Sequence, residues 1–387
     1  MKMKVVAIKS IADVSSGNTP SRRKSEYWNG SIPWITTGEL ESGYVTASKE
    51  CVTEKALKET ALKLYHKGTV LIAMYGQGKT RGTAAVLGIE ATVNQACAAL
   101  TVHSGCSKFL FYQLQNSYHA IRRLSNTGNQ ENLNAEIIKN FKIPWPDELE
   151  QQKIAAILST QDKVIELKEK LLAQKQQQKK YLMQQLLTGK KRLPGFCEKW
   201  TRKQLGELFE NRVEINRSDL GLLAITSTRG ILPRDCLDLK DNSSEDKSKY
   251  LRICPGDIGY NTMRMWQSVS AYSEYEGIVS PAYTILAPME GVYSRYFAYL
   301  FKTQSVIFSF YRFSQGLVDD TRNLKYENFK KISVSIPSKV AEQRAIVQIL
   351  STADHEIDLL QKSIEAEKQK KKALMQLLLT GKVSVRI

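Results

Sequence analysis

One 41-residue stretch occurs twice in this chain, and it limits the available folds more than any other feature. Residues 150–190 read EQQKIAAILSTQDKVIELKEKLLAQKQQQKKYLMQQLLTGK, and residues 342–382 read EQRAIVQILSTADHEIDLLQKSIEAEKQKKKALMQLLLTGK. The offset is 192 residues without a gap, and 22 of the 41 positions are identical. Two copies are too few for a solenoid, so the pattern points to a duplicated module with a pseudo-twofold relation.

Both copies read as helix. Residues 148–188 hold no proline or glycine, and Gly189 stands where a helix stop belongs. Leu158, Ile165 and Leu172 recur every seven residues, as do Leu350, Ile357 and Ile364. Ile154, Leu182, Ile346 and Leu374 extend the stripe. This spacing predicts the seam of a coiled coil. A helix of this length spans about 60 Å, and one so polar is not stable alone in water. Each copy needs a partner, and the other copy is the obvious one.

The remaining segments read as two globes with one order of elements. Residues 1–147 form the first globe and 201–338 the second. Helices occupy 148–190 and 339–382, a linker 191–200 and a tail 383–387. In the first globe GTVLIAMYG (68–76) and ATVNQACAALTV (91–102) read as strands and 108–124 as helix. A polar loop (125–134) and FKIPWP (141–146) follow. In the second globe the order is PGDIGYNTM (255–263), GIVSPAYTILAP (277–288), a helix over 294–313, a polar loop (314–325) and ISVSIP (332–337). The expected fold is mixed α/β (α+β). Two globes are each followed by a long helix, and the helices pack as an antiparallel coiled coil with pseudo-twofold symmetry. Near-identical helices joined to diverged globes imply that the helices share one task while the globes perform variants of another.

Charge narrows the task. Fifty-six Lys and Arg against 39 Asp and Glu give +17. The excess implies a polyanionic partner, nucleic acid ahead of an anionic membrane. Residues 150–192 hold ten basic and four acidic side chains and residues 342–382 seven and six, so most of the excess sits in the globes. No run of about 18 apolar residues occurs, and the N-terminus lacks the apolar core of a signal peptide. A cytoplasmic protein is expected. The six cysteines form no CxxC pair and the four histidines stand apart, so neither a disulfide framework nor a metal site is expected.

Two motifs have a catalytic outline and a simpler reading beside it. Ala73–Thr80, AMYGQGKT, formally matches a relaxed phosphate-binding loop. A working one needs a helix N-terminus facing the phosphates, and the following stretch is interrupted by Gly82 and Gly88. The alternatives are a loop delivering Gln77, Lys79, Thr80 and Arg81 to DNA, or a plain surface turn. Pro146-Asp147 with Glu166 and Lys168 has the outline of a nuclease signature, but Glu166 and Lys168 belong to the long helix and not to a convergent pocket. No [D/N]PP[Y/F] methyltransferase motif and no glycine-rich S-adenosylmethionine loop occurs. The chain therefore reads as non-catalytic.

Taken together, the chain resembles the specificity subunits of Type I restriction–modification systems. The resemblance rests on GNTPSRRKSEYWNGSIPWITTGEL (17–40), on an IP…EQ entry into each helix, and on the LLTGK helix ends. The entries are Ile143-Pro144 with Glu150-Gln151, and Ile336-Pro337 with Glu342-Gln343. The resemblance covers essentially the whole chain. It implies two target recognition domains, each reading half of a split double-stranded DNA sequence. It also implies spacer helices that hold modification (methyltransferase) subunits, two being expected, and restriction subunits. No cofactor is expected on this chain, S-adenosylmethionine belonging to the modification subunit.

Under that resemblance, Arg22, Arg23, Lys24, Arg122, Arg123 and Arg312 are candidate phosphate contacts, each against the alternative of an ordinary exposed charge. Arg229 and Arg264, with Asn261 and Gln267 nearby, are candidate base readers, because Arg pairs with two acceptors of guanine and Asn or Gln with adenine. Hydrogen bonds inside the globe are the alternative. Asn126 and Gln130 in the first polar loop, and Gln315 and Arg322 in the second, occupy matching places. Turn formation explains their surroundings equally simply. The Lys/Gln runs 174–180 and 367–372 read first as solvated helix faces, and second as contacts to DNA phosphates or acidic partners.

Overall fold

The computed structural model describes residues 3–76, 78–124, 132–226, 230–236, 246–316, 318 and 321–385. The chain divides into two compact units, Met1–Glu169 with Lys362–Ile387, and Lys170–Gln361. Each unit therefore contains the start of one repeat and the end of the other.

In the first unit a five-stranded sheet runs in the order Ala12–Ser16, Cys97–Val102, Val70–Ala73, Ala84–Leu87, Tyr44–Val45. Its central strands VLIA and AAVL are buried at every position, as expected for a sheet covered on both faces. Side chains alternate between the faces. Val70 and Ile72 point into a core with Phe109, Leu110 and Leu114 of the helix Ser107–Asn116, whereas Leu71 and Ala73 pack with Ile35 and Leu40. A second sheet orders Glu50–Val52, Trp28–Ile35 and Thr92–Val93. The chain end is tied down by Lys4–Ala7 pairing antiparallel with Lys142–Trp145.

The second unit repeats this plan with other side chains. Its four-stranded sheet is ordered Phe209–Asn211, Tyr283–Pro288, Ile258–Asn261, Ser270–Tyr272. Ile258 and Tyr260 face an aromatic core with Phe297, Phe301, Phe310 and Phe329, and Ile285 on the other face joins Leu223, Ile225 and Ile253. Gly259 lies between them because a Cβ there would sit 2.3 Å from Ile225 Cδ1. Thr201–Gln204 pairs antiparallel with Ser333–Ile336, the counterpart of the tie in the first unit. The expected single helices are each broken in two: Ser107–Asn116 and Tyr118–Arg123, and Ser294–Leu300 and Gln304–Phe313. In the second pair the break is a turn in which Thr303 Oγ1 donates to the Leu300 carbonyl at 2.7 Å.

The long helices are Glu148–Leu186 and Val340–Leu378, 39 residues each. Asp147 Oδ1 accepts the Glu150 amide at 2.9 Å and caps the first. Gly189 and Gly381 follow their ends in the left-handed conformation (φ +70° and +72°), which only glycine adopts without strain. The EQ entries have a structural reason. Gln151 and Gln343, both buried, donate to the carbonyls of Pro146 (2.8 Å) and Pro337 (3.1 Å), locking strand to helix.

Within each unit the helix segments run antiparallel. In the first, Asp162 meets Lys371 at 2.6 Å and Lys168 meets Ser363 and Glu367 at 2.7 Å each. In the second, Lys175 meets Glu356 at 2.7 Å and Lys179 pairs with Asp354. The seam residues divide into two groups. Ile154, Leu158 and Leu374 pack into the first globe's core, and Leu182, Ile346 and Leu350 into the second's. Of the middle ones Ile364 is buried, while Ile165, Leu172 and Ile357 are half-buried. The helix ends are thus held by globe cores, and ion pairs and hydrogen bonds supply much of the contact between.

One clasp recurs in both units. Tyr112 donates to Asp162 at 2.7 Å, and Tyr299 donates to Asp354 at 2.6 Å. Asp354 lies 192 residues after Asp162, and their partners Lys179 and Lys371 are also 192 residues apart. Burial, with the neighbouring carboxylate adding to it, pushes both tyrosine hydroxyls up in pKa, so they remain hydrogen-bond donors.

Candidate nucleic-acid interface

In each globe the central strand runs into a loop held in the same way. The Met74 amide donates to the Ala96 carbonyl (2.8 Å), and the Met74 carbonyl accepts the Leu133 amide (3.0 Å). The Thr262 amide donates to the Ala282 carbonyl (3.2 Å), and the Thr262 carbonyl accepts the Leu324 amide (2.9 Å). The end of each polar loop is thus stitched to a strand-end loop.

In the first globe this gathers several candidates. The loop is closed by the Gly82 amide on the Ala73 carbonyl at 2.8 Å. Tyr118 donates to the Lys79 carbonyl at 2.8 Å. Arg122 donates to the Arg81 carbonyl at 2.7 Å, and its guanidinium lies 5.3 Å over the Tyr118 ring. Lys79, Thr80 and Arg81 are thereby brought against Arg122, with Arg123 next along the helix. Lys79 and Arg123 are exposed, Thr80 is half-buried and Arg81 is buried. Arg122 acts first as a strut for the loop. The loop leads into the strand Ala84–Leu87 and not into a helix, so the phosphate-binding-loop reading of Ala73–Thr80 fails on geometry. Gln77, Asn126 and Gln130 lie outside the described residues.

Arg22, Arg23 and Lys24 sit elsewhere, ahead of the strand Trp28–Ile35. Arg22 is committed. It bonds both oxygens of Glu50 (2.5 and 2.9 Å) and stacks 3.8 Å over Trp28. The Arg22 hydrogen bond holds the Glu50 carboxyl below its ordinary range. Lys24 donates to the Tyr27 hydroxyl at 3.0 Å, and Arg23 is exposed.

The second globe offers a more aromatic face. The strand Ile258–Asn261 leads into a 3-10 turn, Met265–Gln267, flanked by exposed Arg264 and ending at Ser268, which has φ +66°. Asn261 Oδ1 accepts the Met263 amide at 3.0 Å, which shapes the turn. Lys302 donates to the Ser268 and Ser270 carbonyls and fixes the far end. Burial, with Lys179 adding repulsion, lowers Lys302 to a pKa of about 8. Trp266 meets Tyr311 edge to face at 6.1 Å, and Arg322 lies 4.0 Å over the Tyr311 ring. Gln315 and Asn323 exchange backbone hydrogen bonds of 2.7 Å across the second polar loop. Arg264, Gln267, Gln315 and Arg322 therefore lie on connected segments, with Arg312 on the adjoining helix. Arg229 lies outside the described residues.

Trp266 and Tyr311 were not singled out from sequence. A signal was present. The helix Gln304–Phe313 buries only Val306 and Phe310, which leaves Phe308, Tyr311 and Phe313 as aromatic side chains its inward face does not use.

Among the described residues no group of three or more His, Cys, Asp or Glu could hold a metal ion. The nuclease-like outline does not converge. Asp147 is a helix cap, and Glu166, paired with Lys163 at 3.0 Å, stands about 28 Å further along the same helix. Among the described residues no helix is long and apolar enough to cross a membrane.

This arrangement has known relatives. The family model for the Type I restriction modification DNA specificity domain matches residues 1–177 and 265–368. That is more than half of the chain, and the chain belongs to that family. The specificity subunit of Type I restriction enzyme MjaIX from Methanocaldococcus jannaschii is 35% identical over 172 residues, 43% of this chain and 39% of that protein. The EcoR124I/EcoR124II specificity subunit from Escherichia coli is 30% identical over 151 residues, covering 38% and 37%. The matched stretch thus spans well under half of either relative. The fold is shared with the crystal structure of a Type I system S subunit from M. genitalium (TM-score 0.60, 16% identity, 98% and 96% coverage). It is also shared with the HsdS subunit from Thermoanaerobacter tengcongensis (TM-score 0.51, 14% identity, 98% and 97% coverage).

Proposed function

We propose that this chain is the sequence-reading subunit of a Type I restriction–modification assembly. Each globe reads one half of a bipartite, asymmetric site in double-stranded DNA. The long helices act as the spacer and present equivalent faces to modification and restriction subunits. Methylation and cleavage belong to those partners, with S-adenosylmethionine held by the modification subunit, and the assembly works in the cytoplasm. The observation that carries this reading is a single loop scaffold used twice with different side chains. One copy offers Lys79 and Thr80, with Arg81 turned inward and buried, and the other offers Arg264 and Gln267 beside Trp266 and Arg322. A common scaffold with changed side chains is what reading two different half-sites requires, since base edges specify sequence while phosphates only position the protein.

The test is exchange of residues 201–338 for the corresponding globe of another specificity subunit, followed by genome-wide mapping of methylated sites. One half of the methylated sequence is expected to change. A change in both halves would overturn the division of labour, and an unchanged sequence would leave the chain as an adaptor without readout.

A further inference from the structure

The repeat leaves a feature that base reading does not use. Each unit has an open cavity at the corner where the end of a repeated helix meets the paired helices of its globe. The first, about 500 Å³, is lined by Lys371, Lys372, Met375 and Gln376, with Gln115 and Tyr118 opposite. The second, about 480 Å³, is lined by Lys179, Lys180, Met183 and Gln184, with Lys302 and Ser305 opposite. These four helix residues correspond one to one at the 192-residue offset and are identical, whereas Lys368 of the first lining answers Gln176 of the second and the opposite walls differ.

Within each lysine pair the roles are distinct. Lys179 and Lys371 are committed to Asp354 and Asp162. Lys180 and Lys372 are exposed, and among the described residues neither has a carboxylate partner. The second lining contains no acidic residue and the first only Glu41. The first cavity adjoins a loop assigned to base reading, and the second is joined to one through a lining residue. The first reaches Gly82 and Thr83, the return of the Lys79 loop. In the second, Lys302 holds the carbonyl of Ser268, next to Gln267.

Residues that read different half-sites must differ, and those of the two loops do. Side chains that stay identical beside them suit the one part of DNA that does not change with sequence, its phosphates. We infer that Lys180 and Lys372 are equivalent phosphate sites, each holding one backbone phosphate of duplex DNA beside its globe's reading loop. This rests on the proposed DNA-reading role. An acidic surface on a partner present in two copies would also favour identical sites, but the link of each cavity to a reading loop, through Gly82 and Thr83 in one and Lys302 in the other, favours DNA.

The experiment measures the affinity of the full chain for a random-sequence duplex across a salt series. Variants are K180A, K372A, the double alanine and the double arginine, each checked by thermal melting. Replacing one lysine is expected to make the slope of log K against log salt shallower by about 0.9, and replacing both by about 1.8. The arginine variant should keep the wild-type slope, and the affinity ratio between the methylated site and random DNA should hold. A wild-type slope in the double alanine variant overturns the inference, as does a changed ratio. Loss of modification-subunit capture at constant slope assigns the lysines to an acidic partner and overturns it too. If the wild-type chain shows no site preference, the proposed function fails. A shallower slope on random DNA would still support the phosphate contacts.

Discussion

At the scale of single residues, charge is used mainly to hold geometry. Glu367 accepts from Lys168 and from Gln161, both at 2.7 Å. Those hydrogen bonds, Lys168 first, lower its pKa from 4.5 to about 2. A depressed carboxyl adds stability above its unfolded value and loses it as pH falls toward the folded one. Melting temperature should therefore drop between pH 4.5 and about pH 2, and Glu367→Gln should lack that share of the drop. Identical acid profiles for the two proteins would show that the contact does not contribute. Arg22 and Arg122 teach the same lesson about legibility. From sequence both are cations free to meet phosphate. In the fold Arg22 is held by Glu50, 28 residues away, and Arg122 supports the carbonyl of Arg81, 41 residues away. A residue-by-residue reading cannot see partners at such separations.

At the scale of elements, the helices were the most legible part of the chain. Their pattern is local, and a gapless copy states it twice. Their apolar stripe proved to be shared out, with both ends in globe cores and a largely polar middle. That leaves Leu167 and Leu359, 192 residues apart, 53% and 51% exposed on a helix otherwise rich in charge. Single exposed leucines are ordinary, but the same leucine left outside at the same point of both copies suits a surface used twice. Under the proposed function, Leu167→Glu and Leu359→Glu should each weaken docking of one modification subunit and leave the melting temperature unchanged. Mass measurement of the native assembly reads the number of subunits held. Full occupancy in the double variant would rule out this face.

At the scale of the whole molecule, duplication predicted the order of elements in both globes. It did not reveal how the second helix is divided between them. Residues 374–379 complete the core of the first unit through Leu374, Met375, Leu378 and Leu379, and Gln113 donates to the Leu379 carbonyl at 2.9 Å. Glu150 accepts from Ser384 at 2.8 Å. The unit that begins the chain is thus finished by residues more than 200 positions later, which gives it a consequence during synthesis. The first globe to leave the ribosome is the last able to close its core, and it waits through translation of the entire second globe. A chain stopped after residue 361 should therefore show its protease sensitivity in residues 1–147 and not beside the cut, and protection of that region would overturn the expectation. Under the proposed function, a late frameshift would by the same logic damage the half of the DNA site read by the domain furthest from it in sequence.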